Sequence, residues 1–62
     1  MPFQFGQVYE CEEDGRIRQV MVLTARNEGE EGLLRYIDTR VEAWTKWSEF
    51  DREKWRRSTS EK

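Results

Sequence analysis

The first half of the chain alternates apolar and polar residues with the period of β-strands. Residues 3–11, FQFGQVYEC, place a bend at Gly6 and predict one apolar face made of Phe3, Phe5, Tyr9 and Cys11. Residues 16–26 begin with the same alternation and become continuously apolar at Val20–Leu23, which is typical of a strand that becomes covered on both faces. Residues 33–38, LLRYID, are the third predicted strand.

Two polar segments separate these strands. Asp14–Gly15 stands between the first and the second, and Asp-Gly between strand-like runs indicates a tight hairpin turn. Asn27–Gly32, NEGEEG, is a polar, glycine-bearing loop before the third strand. The pattern therefore predicts a three-stranded antiparallel meander.

The segment RVEAWTKWSEFDREKWRR, residues 40–57, permits two interpretations. As one helix it begins after Asp38 or Thr39, and Glu42 completes a capping box with Thr39. The apolar half of that helix is interrupted by polar residues, namely Ser48, Asp51 and Lys54. Alternatively, residues 41–47 form a strand and Ser48 caps a short helix over residues 49–57, with acids in its first turn and bases in its last. We favour the second interpretation because the β-branched and aromatic residues at 41–47 suit a strand.

The order of these patterns resembles the small SH3-like barrels that occur as free-standing bacterial and phage proteins of uncharacterised function. The resemblance spans about residues 6–55 and rests on Val8–Tyr9, Asp14–Gly15, Val20–Leu23, Tyr36, Trp44 and Glu49–Phe50. The chain departs from that family at Lys46–Trp47–Ser48, where a proline normally follows the Trp strand. The resemblance implies a fold and carries no activity.

We therefore expect a mostly β fold, a small SH3-like barrel with a short C-terminal helix over residues 1–57, followed by a flexible tail at residues 58–62. The alternative is a three-stranded antiparallel meander packed on one C-terminal helix, an α+β arrangement with the helix at residues 40–57.

The three tryptophans are needed for stability in a chain of 62 residues. The single cysteine, Cys11, cannot form an internal disulfide, and the absence of histidine excludes a Cys/His zinc site. Burial of a Trp removes about 150–250 Å² from water, and a core of this size has a net stability of only about 3–5 kcal/mol. At least two tryptophans should therefore be buried. If residues 41–47 are a strand, Trp44 and Trp47 point to opposite faces, and one of them should be at least half exposed.

Composition argues against an enzyme. With no histidine in the chain, Ser-His and Cys-His catalytic arrangements are excluded. Cys11 lies between Glu10 and Glu12, whose charges disfavour a thiolate. The acidic groups at residues 12–14 and 28–31 lack the spacing of a calcium loop. We expect no catalytic residue, no metal site and no cofactor.

The same features bear on location. The longest apolar run, Val20–Leu23, is far shorter than a membrane span or a signal-peptide core. The chain begins at Met1 and carries a free thiol, so we expect a cytoplasmic protein with no membrane partner.

The aromatic residues suggest a binding module. On small barrels, aromatics near strand ends often line a groove for peptides or amines. We therefore expect recognition of a protein partner, as in a phage or mobile-element accessory protein, through Tyr9, Tyr36, Arg40, Trp44 and Trp47.

Two alternative functions stay open at this stage. The first is weak nucleic-acid binding through a basic end that surrounds one indole, made of Arg52, Lys54, Trp55, Arg56 and Arg57. A formal net charge of −2 argues against strong binding of this kind. The second is a small-ligand site between subunits of a homo-oligomer, because one small barrel encloses little volume.

Overall fold

A computed structural model of the protein describes residues 2–58 and contains five strands in one antiparallel sheet. The strands are β1 (Val8–Glu13), β2 (Arg16–Arg26), β3 (Glu31–Tyr36), β4 (Glu42–Lys46) and β5 (Arg56–Arg57). Their order in the sheet is β4-β3-β2-β1-β5. The predicted meander and the mostly β fold are confirmed. β4 extends the meander at one edge, and β5 pairs with β1 at the other.

The tight turns follow from residues that accept a left-handed backbone. Asp14 and Gly15 have φ values of 54° and 78°, so both central residues of the β1–β2 hairpin are left-handed. This is the geometry of a type I′ turn, whose twist matches that of the flanking strands. The hairpin predicted from Asp-Gly is confirmed by the pairing of Glu13 with Arg16.

The set of β2 residues that face the core changes from even-numbered to odd-numbered positions along the strand. The pairing with β3 shifts register between Val22 and Thr24. Val20 and Val22 are fully buried before the shift, whereas Ala25 packs against the core after it. An extra residue at such a bulge exchanges the two faces of a strand and bends it. The exchange accounts for the change of phase between Val22 and Ala25, whereas Met21, inside the apolar run, is only half-buried.

The core is assembled around Phe3, which precedes the sheet. Its side chain is 2% exposed, and its ring makes edge contacts with Tyr9, Trp47 and Phe50, with centroid distances of 6.3, 5.1 and 5.1 Å. The buried hydrophobic residues of the described chain are Phe3, Tyr9, Cys11, Val20, Val22, Leu34, Phe50 and Trp55.

The prediction that Phe5 shares the apolar face of Phe3 is wrong. Phe5 is 82% exposed because the chain turns at Phe5–Gly6, where Gly6 adopts a φ of 88°. The backbone N–H of Gly6 then donates to the carbonyl of Val22, which aligns the following residues with β2. The bend expected at Gly6 is present. Because of it, the alternation of buried and exposed side chains in β1 does not extend back to Phe5.

Both predictions of a C-terminal α-helix are wrong. Residues 42–46 are strand β4, a single 3₁₀ turn covers Trp47–Glu49, and the chain then turns again before β5. Phe50 and Trp55 are both buried and their rings stack with centroids 6.1 Å apart. Residues five apart lie about 140° apart around a helix, so a helix would not direct both rings into this core.

The turn between these two rings has its own local cause. The Asp51 carboxylate accepts hydrogen bonds from the backbone N–H groups of Glu53 and Lys54 at 3.1 and 3.2 Å. Such bonds from an aspartate side chain to the following backbone compete with helix formation.

Ser58 is the last described residue, and its N–H donates to the carbonyl of Val8. The rest of the predicted tail, residues 59–62, lies outside the described residues. Within residues 2–58, no helix is long and apolar enough to cross a membrane.

Candidate functional site

The sheet has a core face and an outer face, and the strand register assigns residues to each. Leu34 and Tyr36 of β3 face the core, so Leu33 and Arg35 between them face outward. Leu33 is opposite Trp44 of β4, and Arg35 is opposite Met21 of β2. Side chains directly opposite each other in a sheet share a face. We define the outer-face patch as Met21, Leu33, Arg35, Ile37, Arg40 and Trp44.

Trp44 is the most accessible indole of the described chain. It is 44% exposed, and the guanidinium carbon of Arg26 lies 4.0 Å from the centre of its ring. Arg26 is held there by an ion pair with Glu31 at 2.7 Å. This pair lowers the pKa of Glu31, because the guanidinium donates a hydrogen bond to its carboxylate. One part of the indole is therefore covered by a fixed cation, while the rest is open to solvent.

A shallow depression of about 320 Å³ lies beside Trp44's strand, lined by Met21, Arg35, Ile37 and Arg40. Ile37 is 46% exposed, so the depression has an apolar floor that water reaches. Arg35 faces Glu42 at 3.9 Å, whereas Arg40 forms no ion pair within residues 2–58. The depression thus combines apolar contact area with one guanidinium that has no internal counter-charge.

The backbone holds Arg40 in a left-handed conformation, with a φ of 64°. Its N–H donates to the carbonyl of Tyr36 at 2.6 Å, and the N–H of Tyr36 donates to the carbonyl of Val41 at 2.8 Å. A positive φ is uncommon for a residue other than glycine. The turn between β3 and β4 therefore keeps an arginine where glycine or asparagine would be easier to accommodate.

The structure brings two of the five predicted partner-binding residues to the outer-face patch, Arg40 and Trp44. Tyr9 is 4% exposed, and its hydroxyl donates to Oε1 of Gln7 at 3.1 Å. Burial raises the pKa of the Tyr9 phenol, partly offset by the charge of Arg57.

The other two predicted residues, Tyr36 and Trp47, lie on the core side. Tyr36 contacts the ring of Trp55 edge-on at 6.1 Å, and Trp47 packs against Phe3 and Phe50. Trp44 and Trp47 do point to different sides, as predicted for a strand. Trp44, at 44%, falls slightly short of the half exposure that we expected.

Sequence reasoning missed four residues of the outer-face patch: Met21, Leu33, Arg35 and Ile37. The signal was present, because Leu33, Arg35 and Ile37 alternate with the core residues Leu34 and Tyr36. The aliphatic residues Leu33 and Ile37 lie on the face opposite to that of the aromatic Tyr36.

The basic C-terminal end does not present an exposed aromatic ring. Trp55 is 8% exposed, and Lys54 forms an ion pair with Glu13. Arg56 faces Glu10 at 3.5 Å. The guanidinium groups of Arg52 and Arg57 lie over aromatic rings, those of Trp47 and Tyr9 respectively. Nucleic-acid binding through this end stays a prediction, and base stacking on Trp55 would first require that the ring leave the core.

A second concavity, of about 570 Å³, lies at the tip of the β1–β2 hairpin. Three of its lining residues are joined by ion pairs, from Glu13 to Arg18 and from Arg18 to Asp38, and Lys54, outside the lining, also pairs with Glu13. Hydrogen bonds from Lys54 and Arg18 lower the pKa of Glu13, and that from Arg18 lowers the pKa of Asp38. These ion pairs connect β1 and β2 with the turn after β3 and with the turn before β5.

Within residues 2–58, no group of three or more Cys, Asp or Glu residues is arranged to hold a metal ion. Comparison with protein-family models finds no match. Comparisons with curated proteins and with solved structures likewise find none.

Proposed function

We propose that this chain is a non-enzymatic binding module of SH3-like topology that recognises a protein partner through the outer-face patch. The topology is supported by the long, bent β2, which pairs with β1 at one end and with β3 along the other. A bulged strand shared in this way lets a five-stranded sheet curl around a core. The 3₁₀ turn Trp47–Glu49 then leads the chain from one edge of the sheet towards the other.

The exposure of Trp44 carries the functional proposal. Burial of an indole contributes up to about 4–6 kcal/mol, comparable with the whole net stability of about 3–5 kcal/mol expected for so small a core. A chain of this size that leaves a Trp 44% exposed forgoes part of that contribution. Exposed Trp and Arg residues at the centre of a patch are the residue types that dominate protein–protein binding energy.

The chemistry of the patch supports a particular kind of partner surface. Leu33, Ile37 and Trp44 supply apolar contacts, and Arg40 supplies a guanidinium that forms no ion pair with the rest of residues 2–58. The complementary partner surface presents an apolar side chain with a carboxylate beside it. The small size suits a phage or mobile-element accessory protein that blocks or adapts a host factor, an inference by analogy from fold and size.

Partner capture by matched variants tests the proposal. Immobilised chain is incubated with lysate of the native host, and retained proteins are identified by mass spectrometry. We expect Trp44→Ala and Ile37→Ala to lose a partner that the unsubstituted chain retains. The matched controls, Phe5→Ala and Ile17→Ala, remove apolar groups that are 82% and 56% exposed outside the patch, and they should retain it.

Thermal unfolding distinguishes loss of binding from loss of fold. Because Trp44 is largely outside the core, its substitution should change the melting temperature by only a few degrees, on the order of 1 kcal/mol. If Trp44→Ala unfolds the protein, or if Phe5→Ala abolishes capture equally, the outer-face patch is not the recognition surface.

Arg40→Asn provides a test of the charge. Asparagine accepts the positive φ of this position, so the variant removes the guanidinium without straining the turn. With the captured partner purified, titration calorimetry should show binding weakened by about tenfold, as for a lost charge-assisted hydrogen bond. Unchanged affinity would remove Arg40 from the site.

A further inference from the structure

β4 forms one edge of the sheet and is the longer of its two edge strands, five residues against two in β5. An edge strand exposes backbone N–H and C=O groups that can pair with another strand. Nearly every residue of Glu42–Lys46 is exposed, with only Thr45 half-buried.

The hydrogen bonds to β3 show which groups point outward. Tyr36 donates to the carbonyl of Val41, and Trp47 donates to the carbonyl of Glu30, at the two ends of the β3–β4 pairing. Residues in hydrogen-bonded pairs alternate along an antiparallel ladder. Between these ends, Ala43 and Thr45 therefore bond to β3. The N–H and C=O groups of Glu42, Trp44 and Lys46 point to the free edge.

We propose that this edge pairs with β4 of a second copy of the chain, in antiparallel register centred on Trp44. In that register Trp44 is opposite Trp44 of the second copy, and Glu42 is opposite Lys46. All three outward-pointing residues then fall in hydrogen-bonded pairs, which gives six backbone hydrogen bonds across the two-fold axis. The proposal concerns the edge of the sheet and does not rest on the proposed function of its outer face.

Charge complementarity selects this register. Glu42 and Lys46 flank Trp44 symmetrically, so the two-fold axis creates two pairs, each with a carboxylate opposite an ammonium group. A register centred on Glu42 or on Lys46 would place like charges directly opposite, which destabilises a sheet. Registers centred on Ala43 or Thr45 form only four backbone hydrogen bonds and no pair of opposite charges.

Both charged side chains are exposed, and their intramolecular partners on β3 hold them only weakly: Lys46 is opposite Glu31, whose pKa its charge lowers, without a direct ion-pair contact. Glu42 is 45% exposed and lies 3.9 Å from Arg35, the longest ion-pair distance of the described chain. Lys46 is exposed and forms no ion pair within residues 2–58. In the dimer, the two Trp44 side chains also lie on the same face, which joins the two outer-face patches across the axis.

Sedimentation equilibrium of the purified full chain from about 1 µM to 1 mM tests the dimer, since edge pairing alone buries less than a standard interface. We expect a reversible monomer–dimer equilibrium. Glu42→Lys and Lys46→Glu each convert two attractive pairs into two repulsive ones, and should raise the dissociation constant about tenfold or more. Glu12→Lys makes the same charge change on β1, away from the edge, and should leave dimerisation unchanged.

Combining the two reversals provides the decisive control. The double variant Glu42→Lys with Lys46→Glu restores opposite charges and should dimerise again. A mixture of the two single variants should form a heterodimer, because all its cross-strand pairs are then of opposite sign. If neither combination restores association, the register is wrong.

Backbone pairing is separated from side-chain effects by Lys46→Pro and Lys46→Ala. The φ of Lys46 is −85°, which proline approaches closely, and its N–H makes no bond to β3. Lys46→Pro should therefore weaken the dimer more than Lys46→Ala.

Amide exchange gives a readout that requires no substitution. As concentration rises, the amides of Glu42, Trp44 and Lys46 should become protected, while Ala43 and Thr45 are protected throughout. A strict monomer at 1 mM, or protection without this alternation, would overturn the proposal. Neither result would bear on capture of a partner by the outer-face patch.

Discussion

Substitution of the two phenylalanines before β1 provides a direct test of how this fold is stabilised. Phe3 and Phe5 are two residues apart, yet they are 2% and 82% exposed. Replacement of a buried Phe by Ala costs about 3–5 kcal/mol, which equals the entire stability of about 3–5 kcal/mol expected for a core of this size. Phe3→Ala should therefore be largely unfolded at 25 °C. Phe5→Ala should change the free energy of unfolding by no more than about 0.5 kcal/mol.

Urea unfolding followed by tryptophan fluorescence measures both effects, because Trp47 contacts Phe3 and Trp55 stacks on Phe50. With a urea dependence of about 1 kcal/mol per M for a small domain, the midpoint of Phe5→Ala should shift by less than about 0.5 M. Phe3→Leu keeps most of the apolar volume and should stay folded, with a midpoint about 1–2 M lower. Equal effects of the two alanine substitutions would refute the assignment of Phe3 to the core.

Three further outcomes follow from the same structure. Lys54 and Arg18 hold the pKa of Glu13 in the folded protein below its ordinary 4.5. On acidification, Glu13 is therefore protonated at a higher pH in the unfolded chain than in the folded one, which favours unfolding. The stabilisation from the Glu13 ion pairs is fully present above pH 4.5 and is lost as the pH falls through the folded-state pKa. Melting temperatures measured from pH 7 to pH 2.5 should therefore decrease at the acidic end. Glu13→Gln should reduce this dependence of the melting temperature on pH. In Gly32→Ala, the new Cβ would lie 2.8 Å from the Phe3 ring. The free energy of unfolding, measured by urea denaturation, should therefore fall by about 1–3 kcal/mol. The Cys11 thiol is 0% exposed and should react with a thiol reagent about 100-fold or more slowly than in urea, whereas rapid labelling of the native chain would contradict its burial.

The features that were predictable from sequence are those with local causes. Asp14–Gly15 forms its turn because both residues accept a left-handed backbone. The apolar patterns in residues 3–11 and 33–38 predicted two strands, and the structure has them at Val8–Glu13 and Glu31–Tyr36, each shifted by at least two residues. The difference in direction between Trp44 and Trp47 was also predicted, although Trp47 lies in the 3₁₀ turn after β4 and not in the strand itself.

The incorrect predictions concern choices between surfaces far apart in the chain. Alternation separates the two sides of a strand without saying which side meets the core. Tyr36 and Trp44 therefore looked like neighbours although they lie on opposite faces. The turn at Gly6 separated Phe3 from Phe5 in the same way, because the backbone there aligns with Val22.

Residues 47–58 show most clearly how contacts between distant residues can override a local preference. Its acids and bases, distributed as in a capped helix, favoured helical structure locally. Long-range contacts prevailed because a helix of this length has little stability of its own. The stacking of Phe50 on Trp55 buries two rings, and the pairing of Arg56–Arg57 with Tyr9 and Glu10 extends the sheet. Residue patterns thus specified the strands and their turns, whereas the faces, the edges and the course of residues 47–58 depended on which side chains met in the core.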